Sequence, residues 1–258
     1  GGSLGDLSGF IASTILRGVD LIHFPTTLLA QVDSSIGGKN GINTTSGKNL
    51  VGTFYQPRCV FIDPNILSTL PKREVLSGYA EIVKHSIIND YSFFKWLNKN
   101  SKKILKLDNE VLSQAIHKSI LIKKKYILSD EEERLKNNYS RAILNFGHTF
   151  GHALETYYKY NKKLTHGEAI CIGMIVASTI SYKLNYLSLS NLNTIKNHFT
   201  INKLPISDNK INDPKIYKII KKDKKNINGK INFILIKKIG SAFIKHNLRL
   251  EKLKEILN

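Results

Sequence analysis

The stretch Asn145-Phe146-Gly147-His148-Thr149-Phe150-Gly151-His152-Ala153-Leu154-Glu155 carries two imidazoles at i and i+4. An α-helix turns once in about 3.6 residues, so His148 and His152 stand on one helical face, a turn apart. A second cluster follows at His166-Gly167-Glu168. Two imidazoles on one face, a third downstream and carboxylates nearby are a donor set suited to a divalent metal. Gly147 and Gly151 each precede a histidine. Glycine weakens a helix interior by about 1 kcal/mol against alanine, so the pair predicts a close approach to the backbone there. The plainer alternative is a helix whose histidines are half-buried packing residues.

Glu81, Lys84 and His85 fall at i, i+3 and i+4 after Gly78-Tyr79-Ala80. They read as an intrahelical ion pair, or as a carboxylate ligand with a lysine beside it for an anion. Lys39 and Lys48 both sit beside glycine in a polar stretch, with Asp33 and Asn49 adjacent. Each alone is an ordinary solvated lysine, but together they suggest an anion cradle. The opening Gly1-Gly2-Ser3-Leu4-Gly5-Asp6 leads into a helix, whose free N–H groups can receive a phosphate. Thr26 and Thr27 follow Pro25 as an N-cap, or as hydroxyl contacts to a nucleotide. Arg17 complements the negative end of the first helix. Arg141, four residues before Asn145, can share a cavity with Asn145 and His148. The run Asp130-Glu131-Glu132-Glu133 reads as solvent-facing and mobile.

These residues need elements to hold them. Helical periodicity covers Leu4 to Arg17, and a short strand runs from Val19 to Phe24. A second helix follows through Val32, and the segment from Ser34 to Gly52 reads as a long functional loop. Cys59 to Ile62 reads as a buried strand. From Pro71 helices dominate: Arg73 to Ile88, Tyr91 to Asn98, Val111 to Leu128, Ala142 to Tyr157, Gly167 to Leu184 and Ser190 to Phe199. Two late strands, Ile231 to Ile236 and Ala242 to Lys245, precede a closing helix from Leu248 to Leu257. The fold class is therefore α/β followed by all-α. Residues 1–72 form part of a parallel-sheet unit, and residues 73–258 form a mainly helical domain.

Composition narrows the function. The chain has 258 residues, 41% of them apolar, enough for a sizeable core. No apolar run approaches the ~18 residues that a membrane span needs. Cys59 and Cys171 match no CxxC spacing, so a disulfide-free cytoplasmic protein is the simplest account. The net charge of +19 attracts anions. Aromatic residues do not alternate with the basic ones, so no specific nucleic-acid partner is expected. The chain starts inside a glycine-rich motif and its single Met is Met174, which reads as a fragment of a longer protein.

Several segments together resemble the 3-dehydroquinate synthase family of sugar phosphate cyclases. They are Pro25 to Lys39, Gly47-Lys48-Asn49, Phe54-Tyr55-Gln56-Pro57, Ala80 to Lys84, Asn145 to Glu155 and His166-Gly167-Glu168. The resemblance implies a lyase that converts 3-deoxy-D-arabino-heptulosonate 7-phosphate to 3-dehydroquinate and phosphate, a step of the shikimate pathway. It implies catalytic NAD and a divalent metal, Zn²⁺ or Co²⁺. Glu81, His148 and His166 would be the metal ligands, and His152 would face the substrate instead.

By the same resemblance, Gly2, Ser3, Leu4, Gly5, Asp6, Thr26, Thr27, Lys39, Lys48, Ile66, Leu67, Ser68 and Thr69 would hold NAD. Asp33, Lys84, Lys123, Arg141, Asn145 and His152 would line the substrate site. Lys224 and Arg17 would bind further anionic groups, Arg17 across the interface of a homodimer. The substrate carries a carboxylate and a phosphate, which is why so many Lys and Arg are needed.

The sequence also departs from the family. The first part of the NAD-binding domain is not in this chain. Residues 134–140 look expanded, and Asn137 stands four before Arg141 where the family has Glu. Residues 157–165 also look long. Another sugar phosphate cyclase, or an inactive relic that binds anions, are the alternatives.

Overall fold

A computed structural model describes residues 1–44, 47–161, 163–222 and 230–257, with the side chains of residues 47, 48 and 230 outside the description. Helix α1 spans Gly2–Thr14 and ends in a 3₁₀ turn, Ile15–Arg17. Strand β1 (Ile22–His23) pairs in parallel with β4 (Cys59–Val60), Ile22 opposite Cys59. This small parallel sheet is the α/β unit expected from the alternating pattern. Between the two strands lie a π-helical turn, Ala30–Ser34, and an antiparallel pair, β2 (Lys39–Thr44) and β3 (Gly47–Phe54). The expected loop from Ser34 to Gly52 is therefore largely a strand pair. Its Gly, Asn, Ser and Thr content hid the ladder, because those types are poor strand formers.

The helical part follows a 3₁₀ segment, Pro64–Thr69: α2 (Lys72–Asn89), α3 (Tyr91–Leu105) and α4 (Asn109–Ser129). Aspartates start two of these helices. Asp90 accepts from the Phe93 amide at 2.9 Å, and Asp108 accepts from the Val111 amide at 3.1 Å. A second 3₁₀ segment, Arg141–Asn145, precedes α5 (His148–Tyr157). The expected continuous helix from Ala142 to Tyr157 is thus broken at Gly147, whose φ of 81° is left-handed and suits glycine.

Helices α6 (His166–Lys183), α7 (Leu189–Ile201) and α8 (Pro214–Lys222) come next. Strands β5 (Lys230–Lys238) and β6 (Ser241–Arg249) form an antiparallel pair before α9 (Leu250–Leu257). No described helix is long and apolar enough to cross a membrane.

Helix α2 runs through the centre. It is buried almost all round, from Ser77 to Ile88, and packs in one core with Phe93 and Phe94 of α3, Ile116 of α4 and Phe199 of α7. A second core joins Phe150 and Leu154 of α5 to Ile216 of α8 and Phe233 of β5. A helix buried on every side is normally apolar. Glu81, Lys84 and His85 are nonetheless within the buried part of α2. Buried charge is costly unless paired, so these residues must find partners inside the protein.

Candidate metal centre and anion cavity

Three helices deliver the histidines and the glutamate to one place. A Cβ on Gly167 would lie 2.3 Å from the Ser77 Cα, so only glycine lets α6 start against α2 at this point. A Cβ on Gly173 would lie 1.9 Å from the Gly147 carbonyl oxygen, so α5 and α6 touch backbone to backbone. This is the close approach that the glycines of the histidine motif implied. A capping box fixes the start of α6. The Thr165 hydroxyl accepts from the Glu168 amide, and the Glu168 carboxylate accepts from the Thr165 amide at 2.8 Å. The same carboxylate pairs with Arg73 at 2.6 Å. Glu168 is therefore engaged in placing His166, the first residue of α6.

Glu81 Oε1 lies 3.7 Å from His166 Nε2 and 4.0 Å from His148 Nε2. One donor atom from each of Glu81, His148 and His166 falls within 4.8 Å of the others. Glu81 is fully buried, and its Oε1 accepts no hydrogen bond. The Oε2 atom forms an ion pair with Lys84, which is also buried.

Both imidazoles are held from behind. His148 Nδ1 faces the Phe146 carbonyl at 3.2 Å, and His166 Nδ1 faces Glu155 Oε1 at 3.2 Å. A carbonyl and a carboxylate can only accept, so each Nδ1 carries the proton. Nε2 of each ring is then the atom turned towards Glu81.

The electrostatics separate the two rings. Burial pushes the Glu81 carboxyl up, but Lys84 together with His166 and His148 holds the group well below the usual range. Burial, helped by Lys84, holds the His148 imidazole neutral well below its usual range. Burial acts in the same direction on His166, but the hydrogen bond to Glu155 and the nearby Glu81 carboxylate overcome it and lift the ring to about 9. A buried pocket of two imidazoles and an unbonded carboxylate oxygen fits a divalent cation by donor type.

His152 is placed differently. Its ring lies 5.0 Å from that of His148 and 6.2 Å from that of His166, centroid to centroid. Its side chain is 49% exposed, so it stands at the mouth of the centre and not within it.

Beside the centre opens a cavity of about 180 Å³. Lys84, Lys123, Arg141, Asn145 and Asp33 all line it, together with Asp6, Lys39 and His148. The sequence places these residues on seven different elements, and the fold brings them together. Lys123 Nζ donates to Asp33 Oδ1 at 2.5 Å and to the Asp33 carbonyl at 2.5 Å. Burial pushes Asp33 up, but Lys123, with Lys84 and His85, holds it below the usual carboxylate range.

The acidic run is solvent-facing at Glu131 and Glu132, as expected, but its two ends are engaged. Glu133 pairs with Lys39, accepts from Asn145 Nδ2 at 3.0 Å, and is only 13% exposed. Arg141 Nη1 donates to the Glu131 carbonyl at 2.7 Å. Asp130 accepts from the amides of Arg134, Leu135 and Arg141 and from the Ser140 hydroxyl. It thereby closes residues 131–140 into a strap, which Glu133 ties to Lys39 and Asn145 of the cavity wall. Counting four residues back from Arg141 lands on Asn137 and misses Glu133. Contact with lysine and asparagine, not spacing, identifies it.

The remaining residues lie elsewhere. A Cβ on Gly1 would meet the Thr27 methyl at 3.1 Å, and one on Gly2 would meet the Ser34 hydroxyl at 2.9 Å. The start of α1, with Gly2, Ser3, Leu4 and Gly5, therefore adjoins Thr27 and the π-helical turn. Thr27 Oγ1 accepts from the Ala30 amide at 3.1 Å, which is the expected cap. Thr26 is exposed. Within Pro64–Thr69, Leu67 is buried in the core while Ile66, Ser68 and Thr69 are exposed. Arg17 is exposed, with a φ of 66°, and does not line the cavity. Lys224 and the Lys48 side chain lie outside the described residues.

Comparison with known proteins follows the same lines. The family description "3-dehydroquinate synthase N-terminal" matches residues 1–77, and "3-dehydroquinate synthase C-terminal" matches residues 78–226. The chain is 49% identical over 249 residues to the 3-dehydroquinate synthase of Pelagibacter ubique, covering 95% of this chain and 67% of that protein. It is 45% identical over 254 residues to that of Bartonella tribocorum, covering 96% and 66%. The chain thus spans about two thirds of the length of these relatives.

Among solved structures, a 2-epi-5-epi-valiolone synthase from Streptomyces hygroscopicus with NAD⁺ and Zn²⁺ bound superimposes with a TM-score of 0.89 at 25% identity, over 100% of this chain and 70% of that one. A 2-deoxy-scyllo-inosose synthase complexed with carbaglucose-6-phosphate, NAD⁺ and Co²⁺ gives 0.77 at 29%, over 99% and 71%. With the two family descriptions matched over residues 1–226 and relatives aligned along nearly its whole length, the chain belongs to the 3-dehydroquinate synthase family.

Proposed function

We propose that this chain supplies the metal centre and the anion cavity of a 3-dehydroquinate synthase, acting on 3-deoxy-D-arabino-heptulosonate 7-phosphate. The observation that carries the reading is the buried Glu81–His148–His166 cluster opening onto a cavity lined by Lys84, Lys123 and Arg141. Glu81, His148 and His166 would hold Zn²⁺ or Co²⁺. Such an ion lowers the pKa of a bound hydroxyl and polarises a carbonyl, and NAD supplies reversible hydride transfer. Gly2 to Asp6, Thr26, Thr27, Lys39, Lys48 and the exposed members of Ile66 to Thr69 are the residues assigned to NAD. We place the boundary between the NAD-binding part and the helical part at residue 72.

The protein's own residues then bind and orient the substrate. Lys84, Lys123 and Arg141 neutralise its carboxylate and phosphate by charge-assisted hydrogen bonds, aided by Lys224. Arg17, exposed on its turn, is assigned to a second copy's site in a homodimer. Asn145 and Asp33 orient hydroxyl groups at the cavity wall. His152, at the mouth of the centre and open to solvent, is the group that passes a proton to or from the substrate.

The test is phosphate release from this sugar acid phosphate, with NAD and Zn²⁺, by the longest natural protein that contains this chain. Turnover of the heptulosonate phosphate, and none of a sugar phosphate lacking the carboxylate, is the expected result. Equal turnover of the carboxylate-free substrate would favour another sugar phosphate cyclase activity.

A further inference from the structure

Glu155 is a buried carboxylate in the last turn of α5. Two circumstances make that position costly: burial, and the negative end of the helix dipole. What faces it offsets the cost. Glu155 Oε1 is 3.2 Å from His166 Nδ1, and Oε2 is 3.9 Å from His152 Nε2. One carboxylate thus addresses both the histidine inside the centre and the histidine at its mouth. The two centre histidines also differ in what stands behind them. His148 Nδ1 faces a neutral carbonyl, while His166 Nδ1 faces a charged carboxylate. A charged acceptor fixes the tautomer more firmly and makes the opposite nitrogen a better donor to a metal.

We propose that Glu155 is a positioning residue shared by His166 and His152. It locks the Nδ1–H form of His166 so that Nε2 faces the cation, and it sets the orientation of His152 beside the same centre. Metal binding and the substrate-facing histidine are thereby coupled through one side chain. The inference rests on the metal reading of Glu81, His148 and His166 given above.

Co²⁺ is the probe, titrated into the metal-free chain against a competing chelator and followed by its visible absorption. Glu155→Gln keeps the shape and removes the charge. It is expected to weaken Co²⁺ binding about ten- to a hundredfold and to change the Co²⁺ spectrum, with the metal-free melting temperature retained. Long-range ¹H–¹⁵N spectra of the Zn²⁺-loaded wild-type chain should show His166 protonated at Nδ1, a readout that holds even if the variant fails to fold. In Glu155→Gln the His152 ring signals should shift as well. Wild-type affinity and spectrum in Glu155→Gln, or a wild-type His166 protonated at Nε2, would overturn the proposal. A wild-type chain that binds neither Co²⁺ nor Zn²⁺ would instead sink the metal reading on which it rests.

Discussion

His148 and His152 share a helical face, yet the fold separates their surroundings. His148 is backed by a carbonyl and turned to Glu81, while His152 is half open to solvent. Removal of each should therefore read out differently. His148→Ala is expected to lower bound Zn²⁺ more than tenfold by mass spectrometric metal analysis. His152→Ala should retain it, while turnover in the full enzyme drops by about 10²-fold or more, the scale of a lost general acid or base. Equal metal loss in both variants would make the pair joint ligands.

Helical spacing alone put the two histidines together and could not divide their roles. That division depends on Gly147, which starts α5 at His148, and on what the neighbouring helices bring behind each ring. Glu133 was illegible for a different reason. The strap residues 134–140 lengthen the path to Arg141, so a fixed offset fails where a three-dimensional contact succeeds.

At the scale of elements, two polar knots hold the frame. The first is His198 of α7, buried between the Tyr79 hydroxyl of α2 at 3.0 Å and Asn98 of α3. Asn98 Oδ1 takes the Nδ1 proton and Nε2 receives the hydroxyl, so the knot is complete with a neutral ring. Burial lowers this imidazole from 6.5 to about 4. Between those values the unfolded chain binds the proton more readily than the fold does. Stability from this group is thus fully present above pH 6.5 and is lost as pH falls towards 4, by about 3 kcal/mol. Urea midpoints across that range should show the slope in wild type and a flatter one in His198→Gln.

The second knot is Asp130, whose carboxylate gathers both ends of the strap. Asp130→Asn replaces an acceptor by an NH2 donor that faces other donors and is expected to cost about 2 kcal/mol. It should also speed hydrogen exchange at the Arg134, Leu135 and Arg141 amides. Unchanged exchange there would mean the strap is held by other contacts. The long helices were legible from apolar periodicity. The β2–β3 pair was not, because its polar strands carry little apolar alternation. Helix α8 was missed although Ile216, Tyr217 and Ile220 recur at helical spacing.

At the scale of the whole molecule, the chain carries a net charge of +19, and Lys39, Lys84, Lys123 and Arg141 line its cavity. Long-range attraction speeds encounter more than it changes the bound state. Raising ionic strength from about 0.01 to 0.15 M shortens the screening length from about 30 to 8 Å. In the full enzyme, kcat/KM should fall over that range while kcat holds. A parallel fall in both would place the salt effect on the bound complex instead.

The three proposed ligands come from α2, α5 and α6, far apart along the chain and all within the helical part. A cation bound by them would act as a reversible cross-link, closing the stretches 81–148 and 148–166 at once. Its affinity would then appear directly as resistance to unfolding: about 4 kcal/mol when free metal stands at a thousand times its dissociation constant. Calorimetry with and without Zn²⁺ should show that gain, and His166→Ala should abolish it. The colour of bound Co²⁺ would report when these three helices have come together, making the ion a clock for the folding of this region.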